Sequence, residues 1–238
     1  MSSSLHTRVL DDIGTSIVDG TYPAWSIIRS DEIGQRLGVS RSVAREAVRV
    51  LQSIGLVESV KRLGIRVLPQ SSWNAYDPTL IRWRLAGAGR AAQLRSLTEL
   101  RAAVEPMAAE LAATHSPQSL SGELMAVAAQ MRTVGRSGDL EHFLTLDILF
   151  HKLVLHGSGN EMFAKLDEPI AAVLSGRTEL GLMPTHPHET ALQWHVDVAD
   201  AIQGGHPTAA RASMELIMRR TMSEVESTWA DTARPFFS

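Results

Sequence analysis

The sequence predicts a mainly α-helical protein in two parts, a short N-terminal part that ends in a small β-hairpin and a longer part that is helical throughout. Three observations carry this prediction. Apolar residues recur at helical spacing along most of the chain, two β-rich runs sit close together just after Gly55, and a stretch of turn formers, PQSSWNAYDP, separates them from the longer helical part. With 238 residues, 44% of them hydrophobic, the chain is long enough for one large or two modest domains. The expected division is residues 1–70, a linker over 71–90, and a helical domain over 91–232.

The first helix is predicted from about Thr7 to Val18, where Val9, Leu10, Ile13 and Ile17 share a face and Gly20 follows as a stop. After the turn GTYPAW, Ser30 is expected to cap a short helix with Asp31 and Glu32 in its first turn, Ile33 and Leu37 on its apolar face, and Gly38 at its end. Ser40 caps another helix at once. Two short helices joined by GVS make a helix-turn-helix, and the hairpin formed by LVESV and GIRVL around KRLG turns it into a winged helix-turn-helix. From about Thr79 onward the chain is rich in Ala and Leu and is interrupted at HSPQS, GRSGD, GSGN, GLMPTHPH and QGGHP. Five or six helices fit between those breaks, as an all-α bundle.

Charge is unevenly distributed. The net charge is −3, yet residues 1–70 hold nine Lys/Arg against seven Asp/Glu, so +2, which leaves −5 for the rest. Between residues 36 and 66 the count is seven basic to two acidic, a local basic face of the kind that phosphate contact requires. The chain has no cysteine, which removes disulfides, thiol nucleophiles and Cys-type zinc sites together. No apolar run reaches the ~18 to 20 residues that cross a bilayer, and MSSSLHTRVLDD lacks the apolar core of a signal peptide, so no membrane contact and a cytoplasmic location are expected.

The segment VSRSVAREAVRVLQSIGLV places Arg41, Arg45 and Arg49 at four-residue intervals, on the side of a helix opposite Val43, Ala47, Val50, Leu51 and Ile54. Three arginines alone fit a solvated face. Here they lie on the second helix of a helix-turn-helix, which enters the major groove, where arginine binds guanine in bidentate fashion or grips phosphate. Ser42 lies at the same exposed end, and Lys61 and Arg62, beside Gly64, occupy the tip of the wing. Double-stranded DNA is therefore the expected partner.

These residues carry a resemblance. SRSVAREAVRVLQSIGLV resembles the reading helix of the GntR family, and ELRAAVEPMAAELAA, DILFHKLVLHGSGN and HVDVADAIQGGHPTAARASM are similar to the all-helical FCD effector domain of the FadR group. SSWNAYDPTLIRWRL also resembles the linker of regulators that answer to galactonate or gluconate. The resemblance implies operator contacts by Arg41, Arg45 and Arg49, a wing glycine at Gly64, and a homodimer on a palindromic site. It implies repression of sugar-acid catabolism genes, released by an organic acid, with lactate or a dicarboxylate as the alternative effector. One departure is Asp31, where many relatives carry an arginine.

Asp147 and His151 are i, i+4 on one helix, and this spacing by itself suits an interior hydrogen bond or a shared cation. By resemblance both, together with His195, fall on the family's metal-ligand positions, implying zinc, manganese or nickel. A further family histidine corresponds here to Ile217, which cannot ligate. His186, His188 and His206 are possible substitutes, on segments that read as helix-flanking loops. Arg101 matches a cavity-lining position and suits a carboxylate, the alternative being an internal salt bridge with Glu105. Asn160 matches another cavity position, and Arg177 would supply a second cation. An enzyme built on the same three ligands would lack a partnered general base and leave the DNA-reading module without a purpose. The expectation is a regulator and not an enzyme; an architectural DNA binder without ligand control is the remaining alternative.

Overall fold

A computed structural model describes residues 5–234, apart from the side chains of Ser30 and Asp31. The chain forms two compact units, the first comprising residues up to Gln93 and the second Leu94–Thr232.

In the first unit, α1 (Leu5–Val18) buries Val9, Leu10, Ile13 and Ile17, as their spacing requires, and Gly20 adopts a left-handed conformation in the adjoining turn. A two-residue strand, β1 (Ile27–Ile28), precedes α2 (Ser30–Leu37), which stops at a left-handed Gly38. Helix α2 begins at Ser30 itself, so the capping position belongs to Arg29, which makes no side-chain cap bond. The departure at Asp31 concerns a side chain outside the described residues. Helix α3 (Arg41–Ser53) is capped by Ser40, whose hydroxyl accepts from the Val43 amide. Strands β2 (Val57–Val60) and β3 (Gly64–Val67) form the antiparallel hairpin, with Val57 opposite Val67 and Val60 opposite Gly64. The hairpin is not alone: β1 adds to β3, giving the order β1-β3-β2. A side chain at Gly64 would place its Cβ 2.6 Å from the Ile28 carbonyl, and φ there is +127°, so this glycine is required by the close approach of β1.

The stretch 71–90, expected as a linker, contains α4 (Pro78–Ala86), capped by Asp77. Leu80 and Trp83 join the core made by α1, α3 and the sheet, and the Trp83 indole donates to Asp11 at 2.8 Å. The Trp83 ring lies directly over Gly14, where there is no room for a Cβ.

The second unit is helical. It is built from α5 (Arg90–His115), α6 (Gln118–Ser137), α7 (Leu140–Gly157), the single turn α8 (Glu161–Ala164), α9 (Asp167–Glu179), α10 (Glu189–Gln203) and α11 (Pro207–Val225). Five or six helices were expected after Thr79; α8 and α9 both lie between GSGN and GLMPTHPH, and α4 adds to the total among the described residues. One core collects Ala108, Leu124, Met131, Phe150, Val154, Leu192, Ala199, Met214 and Met218. No helix among the described residues is long and apolar enough to cross a membrane.

Candidate DNA-reading surface and effector cavity

In the first unit, burial of Ala44, Ala47, Val48 and Leu51 fixes the orientation of α3, and Arg41, Ser42, Arg45 and Arg49 point to solvent from the opposite side. Arg49 pairs with Glu46 at 3.0 Å across an exposed surface, a contact weak enough to be exchanged for phosphate. A groove between α3 and the wing is lined by Arg45, Val48, Arg49, Gln52, Ser59 and Gly64. Lys61, Arg62 and Leu63 are exposed at the wing tip, with Arg62 in a left-handed conformation (φ +66°). The structure thus brings the predicted basic residues to the helix and wing of one module.

In the second unit, the candidate ligand residues meet in a cavity of about 50 Å³. Helix α5 supplies Arg101, α7 Asp147 and His151, α9 Arg177, α10 His195, and α11 Ile217, Arg220, Thr221 and Glu224; Met183, Pro184, Pro187 and His188 come from the segment between α9 and α10. The donor atoms of Asp147, His151 and His195 lie within 4.8 Å of one another, and all three residues are buried. Asp147 Oδ1 is 3.5 Å from the Nε2 atoms of both imidazoles.

Hydrogen bonds set the tautomers. His195 Nδ1 lies 2.7 Å from the Ala191 carbonyl, which only accepts, so Nδ1 carries the proton and Nε2 faces the cavity as a lone pair. That Nε2 is buried and has no hydrogen-bond partner among the described residues. His151 Nε2 lies 3.0 Å from Arg101 Nη2, and guanidinium only donates, so Nε2 accepts and the ring proton is on Nδ1, 2.5 Å from Glu105 Oε2. Phe150 packs edge-on against both rings, 5.5 Å from His151 and 4.9 Å from His195 between centroids. Two oriented imidazoles and a carboxylate are a donor set that fits a divalent cation.

Around this group the charges are arranged in pairs. Arg101 Nε donates to Glu105 Oε1 at 2.7 Å, and both residues are buried. Burial pushes the Glu105 carboxyl up, but Arg101 and His151 outweigh it and hold it down at about 2. Glu224 accepts from Arg177 Nη2 at 3.1 Å and from Arg220 Nε at 2.8 Å. Burial, and then the charge of Arg101, push the Arg177 guanidinium down from its ordinary value. Arg101 Nη1 and Arg177 Nε are both buried without a hydrogen-bond partner among the described residues.

Asn160 is a correction. It is not in this cavity: its side chain caps α8 by accepting from the Met162 and Phe163 amides at 2.9 and 3.4 Å, which commits the oxygen that would have met a ligand hydroxyl. Ile217 does face the cavity, as an apolar wall. His188 reaches the rim, whereas His186 and His206 are exposed and outside the ligand group. Glu105, Arg220 and Glu224 were missed as site residues. The sequence offers Glu105 only as an alternative partner for Arg101, and although Arg220 and Glu224 follow Ile217 at helical spacing, that spacing alone does not join them to Arg177.

A winged module with a basic reading helix, together with a helical unit enclosing a cation-and-anion cavity, defines a ligand-controlled DNA-binding regulator. The FCD domain family matches residues 96–220 and the gntR family of bacterial regulatory proteins matches residues 5–67. The chain belongs to the GntR family of transcriptional regulators and carries an FCD domain, and these families are regulators, not enzymes. It is 30% identical over 151 residues to the HTH-type regulator YieP of Escherichia coli, covering 63% of this chain and 66% of that one. Over 219 residues it is 27% identical to the galactonate operon transcriptional repressor of the same organism, 90% and 94% of the two chains. Its fold is also similar to that of Lar, which controls the expression of the Listeria monocytogenes agr system, with a TM-score of 0.60, 15% identity and coverage of 95% and 99%. The GntR module implies DNA binding and the FCD domain a small-molecule effector.

Proposed function

We infer that the protein is a repressor of sugar-acid catabolism genes that leaves its operator when a gluconate- or galactonate-type acid enters the cavity of the second unit. The observation that carries this reading is the pair of guanidinium nitrogens, Arg101 Nη1 and Arg177 Nε, that have no hydrogen-bond partner among the described residues and belong to side chains lining the cavity with Asp147, His151 and His195. Buried N–H groups without acceptors cost free energy, and a carboxylate restores their bonds. Similarity to a galactonate operon repressor supports a sugar acid as its source.

In this reading residues 1–70 hold DNA through Arg41, Ser42, Arg45, Arg49, Lys61, Arg62 and the wing at Gly64, residues 71–90 connect, and residues 91–232 bind effector and pair two copies. The protein is a cytoplasmic homodimer on a palindromic site, since a two-fold operator requires a two-fold reader. Asp147, His151 and His195 would hold zinc, manganese or nickel, and Ile217 in the same cavity offers no further donor. Such an ion, when bound, supplies a Lewis-acidic anchor for a carboxylate oxygen.

Cavity size favours a second candidate. About 50 Å³ accommodates an ion and a few waters, given the ~10–15 Å³ each water needs, so a six-carbon acid enters only if the 181–188 segment moves outward. Lactate or a small dicarboxylate needs less movement. A thermal-shift screen of gluconate, galactonate, their 6-phosphates, lactate and dicarboxylates, on chelated and metal-loaded protein, separates these cases. A specific ligand at 100 times its Kd stabilises by roughly 2.7 kcal/mol. No shift with any of them would remove the sugar-acid reading.

A further inference from the structure

The arrangement of Arg101 presents a conflict. A neutral imidazole nitrogen offers one lone pair, and in this structure that of His151 Nε2 is taken by Arg101 Nη2 at 3.0 Å. A cation bound to His151 needs the same lone pair, because Nδ1 faces Glu105 and carries the ring proton. Guanidinium and metal ion are therefore alternatives at one atom. Their like charges add to the exclusion in a buried site.

The geometry points to Arg101 as a latch that closes the His151 position while no metal is bound and is released by a divalent cation, so that metal and carboxylate bind cooperatively. This rests on the reading that Asp147, His151 and His195 hold a cation. Arg101 cannot leave altogether, since its Nε stays bonded to Glu105 Oε1 at 2.7 Å. The available motion pivots about that bond. It frees Nη2 to join Nη1, which has no partner among the described residues, and the two together form the fork that a carboxylate accepts. While Nη2 remains on His151, half of that fork is occupied, so an anion alone finds a poorer site. Glu105 is the positioning residue for both states: one oxygen holds the pivot of Arg101, and the other lies 2.5 Å from His151 Nδ1. Linkage requires the coupling to be reciprocal.

Cooperativity alone does not establish the latch, because any acid that coordinates a metal shows it. The discriminating experiment titrates Co²⁺ alone, by calorimetry and by its visible spectrum, into full-length wild type, Arg101→Ala and Arg177→Ala. Both variants remove a buried positive charge from the same cavity, but only Arg101 contacts His151. The expected result is that Arg101→Ala binds Co²⁺ at least tenfold more tightly than wild type and Arg177→Ala gains less than threefold. Equal gains, or none for Arg101→Ala, overturn the latch. Absence of Co²⁺ binding by all three proteins overturns the metal reading beneath it.

Arg101→Ala leaves Glu105 buried without its partner and risks poor folding, so a second measurement uses wild type. In ¹⁵N spectra of arginine side chains, the resonance pair missing from Arg101→Lys shows two distinct Nη signals in chelated protein. Zn²⁺ alone collapses them to an averaged signal as the guanidinium is freed. Two signals that persist at saturating Zn²⁺ contradict the proposal.

Discussion

At the scale of single residues, Glu105 holds the cavity together. It is fully buried, its two oxygens face Arg101 and His151, and its carboxyl is held at about 2 against an ordinary 4.5. A depressed carboxyl contributes stability that is present above its unfolded value and is lost as pH falls through the folded one. Wild type is therefore more stable than Glu105→Gln near neutrality, and the gap in Tm between them narrows as pH is lowered from 4.5 toward 2. A constant gap in melting curves across that range would show that Glu105 is not ionised by its neighbours. On the DNA side, Arg45→Ala removes an exposed side chain from α3 without disturbing the core, so operator affinity falls more than tenfold while the helical circular dichroism spectrum is unchanged. Fluorescence anisotropy on an operator selected from random duplexes measures this. Unchanged affinity would displace the reading surface from α3.

At the scale of elements, α4 belongs to the core of the first unit, through Leu80 and Trp83. Its seat on α1 depends on Gly14: a Cβ there would lie 2.3 Å from the Trp83 ring. Gly14→Ala should destabilise the first unit by ~1–3 kcal/mol, as overpacking does, read as a lower urea midpoint. An unchanged midpoint would mean that α4 shifts freely. Helices with a regular apolar face were legible in the sequence: α1 from Val9, Leu10, Ile13 and Ile17, and α3 from its Ser40 cap and its arginines opposite the core. Strand β1 was not, because two residues carry no periodicity and the strand is specified by its partner β3. The helical pattern from about Thr79 was legible and α4 begins at Pro78, whereas its place in the core of the first unit, within the stretch 71–90 expected as a linker, depends on Leu80 and Trp83 meeting that core. In the cavity, Asp147 and His151 were legible as an i, i+4 pair, whereas Arg220 and Glu224 acquire meaning only when α11 is set beside α9. Asn160 was misplaced for a local reason: an Asn before a helix is more simply satisfied by that helix's first amides than by a ligand.

At the scale of the whole molecule, function requires that events in the cavity change affinity for DNA. A ligand that binds DNA-competent and DNA-incompetent forms equally shifts nothing, however tightly it binds. Arg101 has the reach to carry part of the difference, because it contacts His151 and lines the same cavity as Asp147, Arg177 and His195. Its role is decided by operator release from metal-loaded wild type and Arg101→Ala on addition of gluconate and galactonate, followed by anisotropy. At least one of these acids should release wild type, while Arg101→Ala binds the operator with wild-type affinity and is not released. Acid bound by calorimetry with operator affinity unchanged, or normal release of Arg101→Ala, would refute Arg101 as the link between effector and DNA.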